Sequence, residues 1–240
     1  MVTKFHIYLS ILLPLLLNAC GILTVHGSGN IAIETRDVHD FDHVVFSGTG
    51  ELLLTQGDEE TLAVEADDNL MEYVESEVRN GILYIGEKGT ISPSQPIRFK
   101  LQVREIVGLD VAGIASAETE AISTERLEIV VSGMSTLRIG ALEAQELTIH
   151  LNGPTEVELT ETGDVTEQEI VISGPGSYHA PGLHSQSVNL TINGPGNATV
   201  WATDFLSISV SGIGNVDYYG SPQITQTGSG NVSVNSLGNP

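Results

Sequence analysis

The stretch IVVSGMSTLRI, residues 129–139, decides the fold. Counting from Gly133, apolar side chains stand four and two places before it (Ile129, Val131) and four and six places after it (Leu137, Ile139), with the polar Ser132, Thr136 and Arg138 at alternate positions. Alternation on both sides of a glycine describes two short strands, each with one face inward, meeting at a corner. The same pattern returns around Gly113, Gly153, Gly174, Gly194 and Gly212 and, degraded, around Gly228. Successive glycines are 20, 20, 21, 20, 18 and 16 residues apart. A near-fixed period of this length marks a stacked repeat, in which each unit is one coil and cannot bury its apolar face alone.

Glycine suits the corner because it adopts positive φ without steric cost. Equivalent strands of successive coils then pair in parallel, about 4.8 Å apart, and parallel crossovers are right-handed. The sequence therefore predicts an all-β chain: a right-handed parallel β-helix, or solenoid, with coils of about 20 residues. An antiparallel sandwich with evenly spaced hairpins is the competing reading, but its turns recur about every 8–12 residues. On the helix reading, the positions three and five after each glycine form outward columns. The first runs Ser116, Thr136, Glu156, Ser177, Asn197, Asn215, Asn231; the second runs Glu118, Arg138, Glu158, His179, Thr199, Asp217, Ser233.

Nine Lys and Arg stand against 31 Asp and Glu in 240 residues, a formal charge of −22. That balance argues against nucleic acid, whose phosphates need a basic footprint, and against electrostatic adsorption to an anionic bilayer. All but two of the acids lie between Glu34 and Glu169, and no Lys or Arg follows Arg138. The last coils thus present a nearly neutral surface of Ser, Thr, Asn and Gly.

The chain opens MVTKFHIYLSILLPLLLNACG, where one lysine precedes an apolar run too short and too broken by Pro14 for a membrane span. Leu17, Ala19 and Cys20 resemble the lipobox of bacterial lipoproteins, although Asn18 is unusual at its position. The resemblance implies a signal peptide over residues 1–19 and a lipid-modified Cys20, with residues 20–37 as lipidated cysteine and tether. Cys20 is the only cysteine, so it forms no internal disulfide. Residues 31–106 read as an irregular N-terminal β region and residues 107–238 as regular coils, with an early copy of the block at Gly48. In the irregular part, Asn80-Gly81 between alternating runs predicts a hairpin with a type I′ turn. DDNLMEY predicts one helical turn capped by Asp67 or Asp68.

Taken together, FDHVVFSGTGELLLTQGDEETLAVEADDNL, VRNGILYIGE, the VSGxGxV blocks and YYGSPQITQTGSGNV resemble the head-GIN domain, a domain of unknown function that carries an auto-transporter adhesin label. The resemblance covers residues 38–238. It implies a β-helical fold, frequent attachment through a lipoprotein or membrane signal, and an adhesive role, and it brings no catalytic residues. The middle blocks depart from it, since Ala115, Ser135 and Thr155 stand where a second glycine is usual.

No constellation for chemistry emerges. Glu118, Arg138 and Glu158 read as a ladder of surface ion pairs. Glu156 and Glu158 with Asp110 are the best calcium candidates, but the calcium-repeat pattern is absent. The seven histidines form no ligand set, and the recurring GxG pairs belong to the repeat rather than to a nucleotide site. Trp201, Tyr218 and Tyr219 form a candidate ligand platform, against the alternative that they close the end of the solenoid. The expected protein is a non-catalytic cell-envelope lipoprotein without cofactor or metal. It is anchored to the membrane at Cys20 and faces outside the cytoplasm, at the outer membrane or cell surface, with an envelope polysaccharide or a surface protein as partner. A carbohydrate-binding or carbohydrate-active β-helix is one alternative, and a structural or sensing partner of another envelope protein is the other.

Overall fold

The computed structural model describes residues 24–239; the expected signal peptide and Cys20 lie outside the described residues. The described residues are 73% strand and 3% helix and form a β-solenoid of about seven turns. The block around Gly133 shows why. Strand Arg126–Ser132 pairs in parallel with Thr136–Asn152, setting Ile129 opposite Ile149 and Val131 opposite Leu151. The two columns continue through Ile170 and Ile172, Leu190 and Ile192, and Ile208 and Val210. All ten side chains are at most 1% exposed. At about 1.5–3 kcal/mol for each buried aliphatic side chain, these columns are the main stabilising feature of every coil.

The corner glycines also stack. Gly48, Gly113, Gly133, Gly153 and Gly174 have φ between +77° and +140°, which glycine alone accepts readily. Gly194 and Gly212 do not belong to the positive-φ set, yet they are glycine too. Their reason is space along the solenoid axis. A Cβ on Gly194 would stand 2.8 Å from the Gly174 nitrogen, and one on Gly133 would stand 2.5 Å from the Gly113 carbonyl oxygen. These carbonyls are in turn bonded by the next coil: the Met134 N–H donates to Gly113 O at 2.8 Å and the Ile213 N–H to Gly194 O at 3.1 Å.

The register of the last coil corrects the sequence reading. Ile213 faces Asn231 and Val216 faces Val234, so the counterpart of Gly212 is Gly230, not Gly228. Ser233 and Asn235, rather than Asn231 and Ser233, therefore continue the outward columns. A slip of two residues preserves the inside–outside alternation, so the apolar pattern alone could not detect it.

At the other end, strand His43–Gln56 is a full coil: it pairs in parallel with Gly108–Ser123, Gly48 opposite Gly113. Residues 57–107 are an insertion that folds back over this coil. Strands Ile82–Glu87 and Arg98–Val103 pair in parallel with its two halves and supply one more rung out of chain order. Antiparallel strands then close the stack: Thr61–Asp67 lies on Arg98–Val103, Ile31–Arg36 on Thr61–Asp67, and Val74–Arg79 on Ile82–Glu87. The hairpin turns at Asn80 and Gly81, both with positive φ (53° and 79°), as a type I′ turn requires.

DDNLMEY forms a 3₁₀ helix, Asp68–Tyr73, without a side-chain cap. Asp67, at the cap position, is buried and spends its carboxylate elsewhere. It accepts the Ser94 hydroxyl at 2.6 Å, the Ser94 N–H at 2.9 Å and the Gly29 N–H at 2.7 Å. The Ser94 bonds hold its pKa below the ordinary carboxylate value. The Gly29 bond docks the segment expected as a tether, in which Thr24–His26 pairs with Thr90–Ser92. A single apolar cluster runs from Val38 to Val216.

The two kinds of glycine constraint separate experimentally. Gly81 has positive φ but open space around its Cβ direction, whereas Gly133 has both positive φ and a neighbouring carbonyl. By urea unfolding, Gly81→Ala is expected to cost about 1–2 kcal/mol and Gly133→Ala about 2–5 kcal/mol. Equal losses would contradict the axial contact.

Candidate functional site

The outward side chains after each glycine make one continuous face. Its first column runs Glu51, Ser116, Thr136, Glu156, Ser177, Asn197, Asn215, Ser233. The second runs Leu53, Glu118, Arg138, Glu158, His179, Thr199, Asp217, Asn235 in the same registers. Strand alternation puts both columns outside because their neighbours Leu137, Val157 and Val200 point into the core.

The face changes character along the axis. In the early coils it is charged. Arg138 Nε donates to Glu158 Oε2 at 2.9 Å, and this carboxylate, with its charge, holds the guanidinium pKa above its ordinary value. Both groups are solvated, so the pair is a surface rung and not a buried charge relay. Glu156 and Glu158 share this face, but Asp110 does not join them; its Oδ2 lies 3.4 Å from His43 Nε2 on the other side of the corner. Among the described residues no group of three or more His, Cys, Asp or Glu could hold a metal ion.

In the last coils the face becomes an amide ladder. Asn235 Nδ2 donates to Asn215 Oδ1 at 3.0 Å and to Asp217 Oδ1 at 2.9 Å, and Asn215 Nδ2 donates to Asp217 Oδ2 at 2.9 Å. Beside it the candidate platform divides. Trp201 faces Tyr219 in register, and both are half-exposed on the outside. Tyr218 pairs with the buried Val200 and packs against the core, which removes its ring from the platform. A histidine takes its place: His184 faces Trp201, with ring centroids 5.1 Å apart and planes nearly perpendicular. His184 Nδ1 lies 2.8 Å from Asp164 Oδ1, which orients the imidazole. The sequence reading missed His184 because a register shift between His179 and His184 lengthens that coil.

A second unpredicted feature is the position just after each glycine. Ile114, Met134, Pro154, Pro175, Pro195 and Ile213 are all exposed and form an apolar ridge along the corner. The signal was present, since one position in six successive blocks is apolar yet lies out of phase with the inward set.

The middle coils also carry a polar cluster inside the core. Tyr178 donates its hydroxyl to Gln168 Oε1 at 2.7 Å, and Gln168 Nε2 donates to the Ser185 hydroxyl. All three residues are essentially fully buried. Each is satisfied by the others, which is the condition for tolerating polar atoms there. Burial pushes the Tyr178 pKa well above its ordinary value of 10.0. A phenol whose folded pKa is raised leaves stability intact below the unfolded value and loses it as pH rises beyond. Absorbance titration of the folded protein should therefore leave Tyr178 un-ionised until alkaline unfolding. Tyr178→Phe should remove that alkaline loss while costing about 1–3 kcal/mol at neutral pH, because Gln168 loses a partner.

The comparisons with known proteins agree with this architecture. The family model described as "Putative auto-transporter adhesin, head GIN domain" matches residues 40–222. No curated protein matches the chain. A solved structure of a putative adhesin from Bacteroides fragilis is 20% identical, covers 89% of this chain and 100% of its own, and superposes with a TM-score of 0.81. One described as a putative lipid binding protein from Parabacteroides distasonis is 23% identical, covers 90% and 100%, and scores 0.72. A putative adhesin from Parabacteroides merdae is 21% identical, covers 89% and 99%, and scores 0.71. At these identities the likeness is one of fold.

Proposed function

The chain belongs to the head GIN domain family, and from that premise we propose that it is a non-catalytic adhesin of the cell envelope, anchored through lipid at Cys20. Its binding face is the outer surface of the last coils, and its partner is a polar extracellular polymer, an envelope polysaccharide before a surface protein. The observation that carries this reading is the half-exposed Trp201–Tyr219 pair beside the Asn215–Asp217–Asn235 ladder, on coils almost free of charge. Aromatic faces stack on the apolar faces of sugar rings, while an amide ladder supplies donors and acceptors for hydroxyls. A rigid solenoid holds both in fixed register, which limits the entropy lost on binding.

The chain starting at Gly21 is expected to be retained on an immobilised polysaccharide panel without releasing fragments, and Trp201→Ala should abolish retention while leaving the melting temperature unchanged. Released fragments would overturn the non-catalytic reading and direct attention to Glu118, Glu156 and Glu158. In the full chain, Cys20→Ser should move the protein out of the membrane fraction; continued tight retention would contradict the anchor.

The apolar ridge favours a second reading, binding to lipid, the ligand class in the name of the Parabacteroides distasonis relative. Retention on neutral phospholipid vesicles instead of polysaccharide, lost in Met134→Lys but not in Trp201→Ala, would select it.

A further inference from the structure

The two ends of the solenoid are finished differently. At the N-terminal end the stack closes with antiparallel strands, and the outermost ones carry charge: Glu34 and Arg36 on Ile31–Arg36, and Glu75, Glu77 and Arg79 on Val74–Arg79. Charged side chains on edge strands are the usual guard against pairing with another chain. The C-terminal end has no such guard. Among the described residues its outermost strands are Gln223–Thr227, which pairs only with Pro195–Val210, and Asn231–Gly238, which pairs only with Ile213–Tyr219. Neither carries a charged residue.

The same end leaves core side chains partly open. Val232 and Val234 lie against the apolar cluster but are only half-buried, while Ile224 is 39% and Leu237 46% exposed. One rung earlier, Val216, on which Val234 stacks, is fully buried. Among the described residues no element covers this last rung. The backbone is open as well. Because the Asn231 N–H donates inward to Gly212 O at 2.9 Å, alternation turns the Val232 and Val234 amides toward the open edge.

We infer that the C-terminal rung is an interaction surface for a second copy of this chain, docked end to end about a twofold axis, with Asn231–Gly238 pairing antiparallel to its own counterpart. A second copy is the occupant that fits on three grounds. It presents an apolar rung of the same outline and an equally unpaired edge, so one contact satisfies both partners and closes the assembly. Its terminal coils are as free of charge as those it meets. And 29 of the 31 acids precede Pro195, so end-to-end docking keeps the two strongly acidic halves farthest apart, whereas side-by-side packing would bring them together. The inference does not depend on the ligand proposed above, because it uses the axial end and not the outward face.

The test is sedimentation equilibrium of the chain from Gly21 to Pro240 over a wide concentration range. A dimer mass is expected. Val234→Pro removes an amide that faces the open edge without breaking a bond inside the solenoid, and should weaken the dimer at least about tenfold. Ile224→Lys places a charge at the same end and should leave a monomer, while Met134→Lys on the corner ridge should leave the dimer intact. Thermal unfolding of each variant shows whether the solenoid itself has survived. A wild-type mass that stays monomeric, or a dimer that survives both C-terminal variants, or one lost only with Met134→Lys, would overturn the inference.

Discussion

Every coil of this protein is positioned by backbone-to-backbone contact at its corner glycine. Gly113 sits against Gly48, Gly133 against Gly113, and the column continues through Gly153, Gly174, Gly194 and Gly212. With no Cβ between them, successive corners approach closely, and where the residue after the glycine is not proline, as at Met134, Ile213 and Asn231, its amide reaches the carbonyl of the previous glycine. This fixes the axial register. Once it is fixed, the aliphatic columns on one side of each strand fall on one another, and the polar columns on the other side become continuous ladders. The column ends at Gly48, where the Glu87 carboxylate occupies the next position and accepts the Thr49 N–H at 2.9 Å.

The fold was legible because the repeat carries it in two independent signals, the glycine spacing and the period-two alternation. What escaped did so for identifiable reasons. The last register slipped by two because two is the period of the strand, so Gly228 and Gly230 are equivalent to any test based on alternation. The extra rung formed by Ile82–Glu87 and Arg98–Val103 lies out of chain order, and no repeat search orders strands in space. Asp67 looked like a helix cap because capping is local, whereas its partners Gly29 and Ser94 lie 38 and 27 residues away.

The candidate site was partly legible. Trp201 and Tyr219 fall on outward positions and share a face. Tyr218, one residue away, points inward, as alternation requires of adjacent residues. His184 entered only through the lengthened coil that breaks the arithmetic between His179 and Thr199. Charge and architecture then follow one axis: the acidic coils lie toward the N-terminal cap, and the Asn215–Asp217–Asn235 ladder, the aromatic pair and the unguarded edge gather at the other end.

Native-state hydrogen exchange at the glycine corners tests the central claim most directly. The amides of Met134, Ile213 and Asn231, which donate to the carbonyls of Gly113, Gly194 and Gly212, should exchange only through opening of whole coils. Their protection should match that of amides flanking the buried Ile149 and Ile170. Exchange as fast as at the exposed Asn80-Gly81 turn would mean that the corners are loose, and that the aliphatic columns alone set the register.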